Sequence, residues 1–252
     1  DPHVLNGMSL NLRRGEFAAA ESDFRASIRR LTSRNPNPYD GEPYYNLGLA
    51  LRHLGRDDDA YDAFYKATWN HAWQAAGYHA LAEIDCRRHD WTAALDHLDR
   101  ALRANADNRR ARNLQALVLR QLGRAAEAEA RLRETVALDP LDWWARHLLA
   151  EPLACDTQVK LDLALDYARA GFFAEALRLL KGAQPEPASG TAPLLEYYAA
   201  WLCHLLGDKA AGRRHLAAAA RASRDYCFPA RLEEIAILAH AVAASPGDAR
   251  AP

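Results

Sequence analysis

A turn glycine returns about every 34 residues along this chain, each time with the same kind of neighbours on both sides. In the clearest copy Gly55 is preceded by Tyr44, Leu47, Gly48 and Leu51 and followed by Ala60, Phe64 and Ala67. Aligned on that turn, the next copy supplies Tyr78, Leu81 and Ala82, then Ala94, Leu98 and Ala101, with His89 standing where the glycine is expected. A third copy turns at Gly123, with Ala116 and Leu119 before it and Ala128, Leu132 and Pro140 after it. Within each half the apolar residues stand three and four apart, which places them on one face of an α-helix. A period of this length marks stacked copies of a two-helix unit.

The residue types at the matched positions have a physical reason. Gly48, Ala82, Ala116 and Ala164 let the first helix of a pair approach the second, and Ala60, Ala94, Ala128 and Ala176 do the same from the other side. Neither helix covers its apolar stripe alone, so neighbouring pairs must stack into a continuous core. Looser copies lie outside the central block: Gly15 with Ala20 and Phe24, Gly171 with Tyr167, Ala176 and Leu180, and Gly207 with Leu216 and Ala219. Successive turns are separated by 40, 34, 34, 48 and 36 residues, which locates two insertions. The first is NPNPYD, Asn35 to Asp40, whose prolines forbid helix. The second surrounds DPLDWWARHLLAEPLACD, where a helix starting near Leu141 must end close to Pro152. A further break, GAQPEPASGTAP, reads as a longer loop between Lys181 and Leu194. The chain is therefore expected to form one helical-repeat domain over 1–252. Its pairs lie near 1–34, 41–74, 75–108, 109–142, 157–190 and 193–226, with an extra helix over 143–156 and a last helix over 228–245.

This pattern resembles the tetratricopeptide repeat. The resemblance implies an all-α, right-handed superhelical solenoid of antiparallel helix pairs, in which the first helix of each pair lines a concave groove. RLTSRNPNPYDGEPYYNLGLALRHLGR, FYKATWNHAWQAAGYHALAEIDC and CFPARLEEIAIL are similar to the repeat region of large bacterial proteins whose N-terminal domain looks like a carbohydrate-active, β-rich module. That second resemblance implies a domain role rather than catalysis. Asp1 at the start, and SPGDARAP at the end, where Pro246, Asp248 and Ala249 resemble the DPLDWWA stretch at Asp139, are read as the cut ends of a longer protein.

Composition narrows the function. Lys and Arg number 32 against 33 Asp and Glu, a net charge of −1, so no whole-chain field attracts nucleic acid or an anionic membrane. Cys86, Cys155, Cys203 and Cys227 are scattered without paired or metal-ligand spacing and read as buried free thiols. No signal-peptide pattern, apolar run of about 18 residues or lipidation motif is visible, which is read as a cytoplasmic location. No cofactor or metal is expected. No glycine-rich phosphate loop, nucleophile elbow or Cys/His arrangement supports an enzyme.

The site candidates are therefore residues expected to be exposed on the first helices: Tyr45, Asn46, Arg52, His79 and Glu83, then Arg110, Asn113 and Arg120. They are expected to contact a protein segment or a neighbouring domain of the same polypeptide. His79 and Glu83 share a helix face, either as a ligand-contacting pair or as a solvated pair worth about 0.2–0.5 kcal/mol. Two such ligands do not make a zinc site. In TWNHAWQAAGYH, Trp69, Asn70, His71 and Trp73 replace the usual alanine-rich link, and Trp143 with Trp144 poses the same choice at the second insertion. An indole there either stacks on a sugar, which would make the chain a carbohydrate-associated module with Trp73 or Trp143 as platform, or fills a gap between pairs. At least one indole of the 143–144 pair is expected to be exposed if its neighbour is buried. The lysine, arginine and asparagine clamp by which some tetratricopeptide adaptors hold an acidic C-terminus is absent: Asn46 fills one place, but Leu5 and Ser9, or Ala76 and Ala80, stand at the others.

Overall fold

The computed structural model describes residues 10–37, 40–186 and 189–244, and every regular element among them is helical. Contacts gather into two compact units, Asp1–Ala145 and Arg146–Pro252. In the first unit, residues 10–13 are helical and are followed by α1 (Phe17–Leu31), α2 (Glu42–His53) and α3 (Asp57–Ala67). A single 3-10 turn (His71–Trp73) leads into α4 (Gln74–Arg87), then α5 (Trp91–Ala104), α6 (Arg109–Gln121) and α7 (Ala125–Leu138). Helix α8 (Trp143–Leu148) contains the division between the units. The second unit holds α9 (Thr157–Arg169), α10 (Phe173–Leu180), α11 (Thr191–Leu205), α12 (Lys209–Ala219) and α13 (Glu233–Ala244).

The recurring turn has one geometry. At Gly55 the chain enters the left-handed region at φ 73°, the N–H of Arg56 reaches back to the Leu51 carbonyl, and that of Gly55 reaches the Arg52 carbonyl. This pair of bonds ties off the last carbonyls of a helix and favours glycine at the left-handed position. The same closure recurs at Gly15, Gly123, Gly171 and Gly207, and at His89, which takes φ 60° although it carries a Cβ. The following helix is often capped by the side chain just before it: Asp90, Asn108, Asp156 and Asp208 accept from Ala93, Ala111, Val159 and Ala211, contacts worth about 1 kcal/mol each.

Each small residue of the repeat is where close approach requires it. Ala60, Ala94, Ala128 and Ala176 are completely buried, as are Ala82 and Ala116. A Cβ on Gly48 would fall 2.5–2.8 Å from ring carbons of Phe64. In the first unit each helix packs on the next in chain order from α1 to α7. In the second, α9 packs on α10 and α11, and α11 packs on both α12 and α13.

The extra helix expected over 143–156 is corrected to Trp143–Leu148. It begins at Asp142, whose carboxylate accepts from the Ala145 N–H at 2.8 Å. It ends because the chain makes the same left-handed closure at Ala150, φ 58°, with Glu151 N–H bonded to the Arg146 carbonyl, before Pro152 is reached. The last helix, expected from 228, starts at Glu233. In the loop after Lys181, Glu186 accepts from the Thr157 backbone N–H at 3.1 Å, which ties that loop to the start of α9. Leu5 and Ser9, Pro38 and Tyr39, Pro187 and Ala188, and the C-terminal Pro246, Asp248 and Ala249 lie outside the described residues.

Two imidazoles of the second unit are expected to lower its stability in acid. Burial holds His147 and His240 below the ordinary value of 6.5, with the charge of Arg178 adding at His147 and that of His204 at His240. His147 Nδ1 lies 2.7 Å from the Tyr167 hydroxyl, and the His204 and His240 rings stack at 4.4 Å. A lowered folded pKa means that the unfolded chain takes up protons first, so stability is complete above the unfolded value and is lost as pH falls through the folded values. Thermal denaturation is expected to show Tm falling as pH is lowered from about 7.5 through the imidazole range. His147→Asn, which keeps an acceptor for Tyr167, is expected to flatten that fall, and an unchanged slope would contradict this assignment.

Candidate interaction face of the first unit

Helices α2, α4 and α6 are the first members of successive pairs and carry all eight candidate contact residues. Between α2 and α4 runs an ion pair: Arg52 donates from Nη1 to Glu83 Oε2 at 2.5 Å. The other Glu83 oxygen lies 4.0 Å from His79 Nε2, one turn earlier on α4. The side chains of Arg52, Glu83 and His79 are only 12%, 9% and 16% exposed, so the group is a nearly dehydrated bridge between pairs rather than a solvated surface pair. The expected exposure of Glu83 is corrected accordingly.

Tyr45 is half-buried, its ring 5.4 Å from Phe64 and 5.0 Å from Trp73. Trp73 therefore fills the joint between α2 and α4. Asn46 donates to Glu42 on its own helix at 3.5 Å. On α6, Arg110 and Arg120 are exposed, and the charge of Arg120 helps to lower the Glu129 carboxyl after the larger effect of Arg133. Asn113, expected on the surface, is 1% exposed. Its amide nitrogen donates to both oxygens of Asp142, at 2.9 and 3.1 Å, so it anchors the start of α8. Of the eight candidates, the structure brings Arg52, His79 and Glu83 into one group.

The tryptophans do not offer the expected platforms. Trp144 is 3% exposed and Trp143 is half-buried, so neither indole of that pair is exposed. The exposed indole is Trp69, at 58%, and Lys66 Nζ sits 3.3 Å above its ring. A buried pair that the repeat pattern does not announce joins α4 to α5: His97 donates from Nδ1 to Asp85 Oδ2 at 2.7 Å, with the Tyr78 ring stacked on the imidazole and Tyr61 at its edge. Two polar residues on faces that the repeat gives to apolar contacts were the available signal. Cys86 and Cys203 are buried while Cys155 and Cys227 are half-buried, and burial pushes all four thiols up, away from the thiolate. Among the described residues, no group of three or more His, Cys, Asp or Glu is placed to hold a metal ion.

A family model described as tetratricopeptide repeat matches residues 9–76 and 79–142, more than half of the chain. The chain belongs to the tetratricopeptide-repeat family. Its matched repeats fall in the first unit; the pairs of the second unit lie beyond them and share their turn geometry. Among solved structures, MamA is 21% identical, with 69% of this chain and 90% of that chain covered and a TM-score of 0.48. A tetratricopeptide repeat protein from Parabacteroides merdae ATCC 43184 is 18% identical, with 86% and 77% covered and a TM-score of 0.49. YrrB, described as a tetratricopeptide protein with an unusual peptide-binding site, is 20% identical, with 78% and 90% covered and a TM-score of 0.42. Membership in the family rests on the repeat match alone.

In this tetratricopeptide chain two of the places assigned to an acidic-peptide clamp, Asn46 and Ala80, are among the described residues, while Leu5 and Ser9 lie outside them. Asn46 is turned to Glu42, and Ala80 is 3% exposed in the core. No helix among the described residues is long and apolar enough to cross a membrane.

Proposed function

We propose that this tetratricopeptide chain is a non-catalytic docking scaffold. It binds a protein segment, from another protein or from a neighbouring domain of the same polypeptide, across the first helices α2, α4 and α6. The observation that supports this most is the Arg52–Glu83–His79 bridge. Breaking a buried ion pair is strongly destabilising, so the bridge holds α2 and α4 in register and fixes the surface around them before any partner arrives. On the same first helices are Tyr45 and Asn46, on α2, and the exposed Arg110 and Arg120, on α6. The exposed arginines suit a segment that presents carboxylate side chains. A cytoplasmic setting belongs to this reading, and neither nucleic acid nor a membrane does, since the net charge is −1.

Nothing favours the carbohydrate reading: Trp73 packs on Tyr45, and Trp143 is half-buried. Panning a displayed random-peptide library against the chain is expected to select binders enriched in acidic residues. Their affinity should fall about tenfold or more in Arg110→Ala and Asn46→Ala variants that keep the wild-type Tm. Failure to select any binder, or binding indifferent to both changes, would contradict the proposal.

A further inference from the structure

Away from the face just described, a hollow of about 300 Å³ opens where the start of α4 meets the end of α5. It is lined by His71, Gln74, Tyr78, Arg100, Arg103 and Ala104, with no carboxylate among them. The two acids that precede Arg100 and Arg103 on α5 are engaged. Asp96 pairs with Arg100 through Nε at 2.8 Å, and Asp99, one turn before Arg103, accepts from Gln115 on α6 at 2.6 Å. Arg103 is exposed and has no ion pair among the described residues. Arg100 is placed by its other neighbours, its guanidinium carbon 5.6 Å from the Tyr78 ring centre. That ring is itself stacked on the buried His97 held by Asp85. The wall of the hollow is thus fixed from behind, while its open side carries two guanidinium groups, an imidazole, an amide and a phenol.

Guanidinium groups bind planar and tetrahedral oxyanions through paired N–H donors. Asp96 offsets part of the charge of Arg100, so the second guanidinium makes the hollow cationic. Two such forks at one site favour a group with three acceptor oxygens and up to two negative charges over a single carboxylate. A volume at the lower end of small-ligand pockets leaves room for that group and the first atoms of what carries it. We infer that this hollow is a binding site for a phosphomonoester, with Arg100 and Arg103 as the charge-bearing contacts and His71, Gln74 and Tyr78 as further hydrogen-bonding groups. Gln74 and Tyr78 stand on α4, but none of the six lining residues is a named docking contact, so the two proposals are tested separately.

The test is a titration of the full chain with inorganic phosphate, O-phospho-L-serine, L-serine and L-glutamate, followed by the imidazole and arginine side-chain NMR signals. Phosphate and phosphoserine are expected to give saturable shifts at His71 and Arg103 at millimolar concentration, with serine giving none. Arg103→Gln is expected to weaken binding about tenfold or more. Arg133→Gln, a change at an exposed arginine on α7, serves as the control and should bind as the wild type does. Amide spectra and Tm verify that both variants are folded. No saturable shift, equal binding by Arg103→Gln, or glutamate binding as tightly as phosphoserine would overturn the assignment.

Discussion

Phe64→Ala is expected to destabilise the first unit by about 3–5 kcal/mol, among the larger effects available to a single core change. The ring is fully buried at the joint of α2 and α3, against Gly48 on one side and Tyr45 on another, so its removal leaves a cavity that the backbone cannot close. A loss of that size is a large fraction of the 5–15 kcal/mol by which domains are ordinarily stable. The same geometry sets a second expectation at Gly48. Its missing Cβ is replaced in space by the Phe64 ring, so Gly48→Ala overpacks the joint and should cost about 1–3 kcal/mol. Because both changes act on one volume, the double variant should be more stable than the sum of the single losses allows. Urea denaturation of the two single variants and the double variant measures this directly. Strict additivity would mean that Phe64 and Gly48 are not the interlocking pair described here.

Glu234→Ala is expected to undock α13 in the second unit, at a cost of about 3–5 kcal/mol. Glu234 is 2% exposed and accepts three hydrogen bonds: from the Tyr198 hydroxyl at 2.8 Å and from the backbone N–H groups of Ala230 and Arg231 at 2.6 and 2.7 Å. Burial, with the Glu234 charge beside it, pushes the Tyr198 phenol far up, so it stays protonated and remains a donor. Alanine would leave a buried hydroxyl and two N–H groups without their acceptor. Glu234→Gln retains one acceptor oxygen and turns an amide donor toward the other partners, so it should recover only part of the loss. Hydrogen exchange is the discriminating measurement: protection should vanish in α13 while α2 to α7 keep theirs. Retained protection in α13 would show that the helix is held by its apolar contacts alone.

The parts of this fold that are legible in sequence are those decided within one pair. The closure at Gly55 and Gly123 needs a left-handed residue, and the alanines opposite Gly48 and Ala82 need to be small, so both leave a regular trace. Even His89 keeps the period, because the closing hydrogen bonds form around it despite its Cβ. What pairs do to one another leaves a weaker trace. The period assigns Glu83 and Asn113 to faces but says nothing of how far the neighbouring helix covers them. One meets Arg52, 31 positions away, and the other meets Asp142, 29 positions away. Position 150 held an ordinary alanine where the chain turns, so only Pro152 signalled an end to α8. The hollow of Arg100 and Arg103 draws residues from α4 and α5, 22 or more positions apart, and the period leaves no trace of that meeting.

The most direct test of the docking account is to map where a selected peptide sits. A binder from the displayed library should be titrated into the isotopically labelled chain and the backbone amide shifts followed residue by residue. A contiguous set of shifts on α2, α4 and α6 that includes Tyr45, Asn46, His79 and Arg110 is expected. Shifts confined to the second unit, or to the second helices α3, α5 and α7, would contradict it.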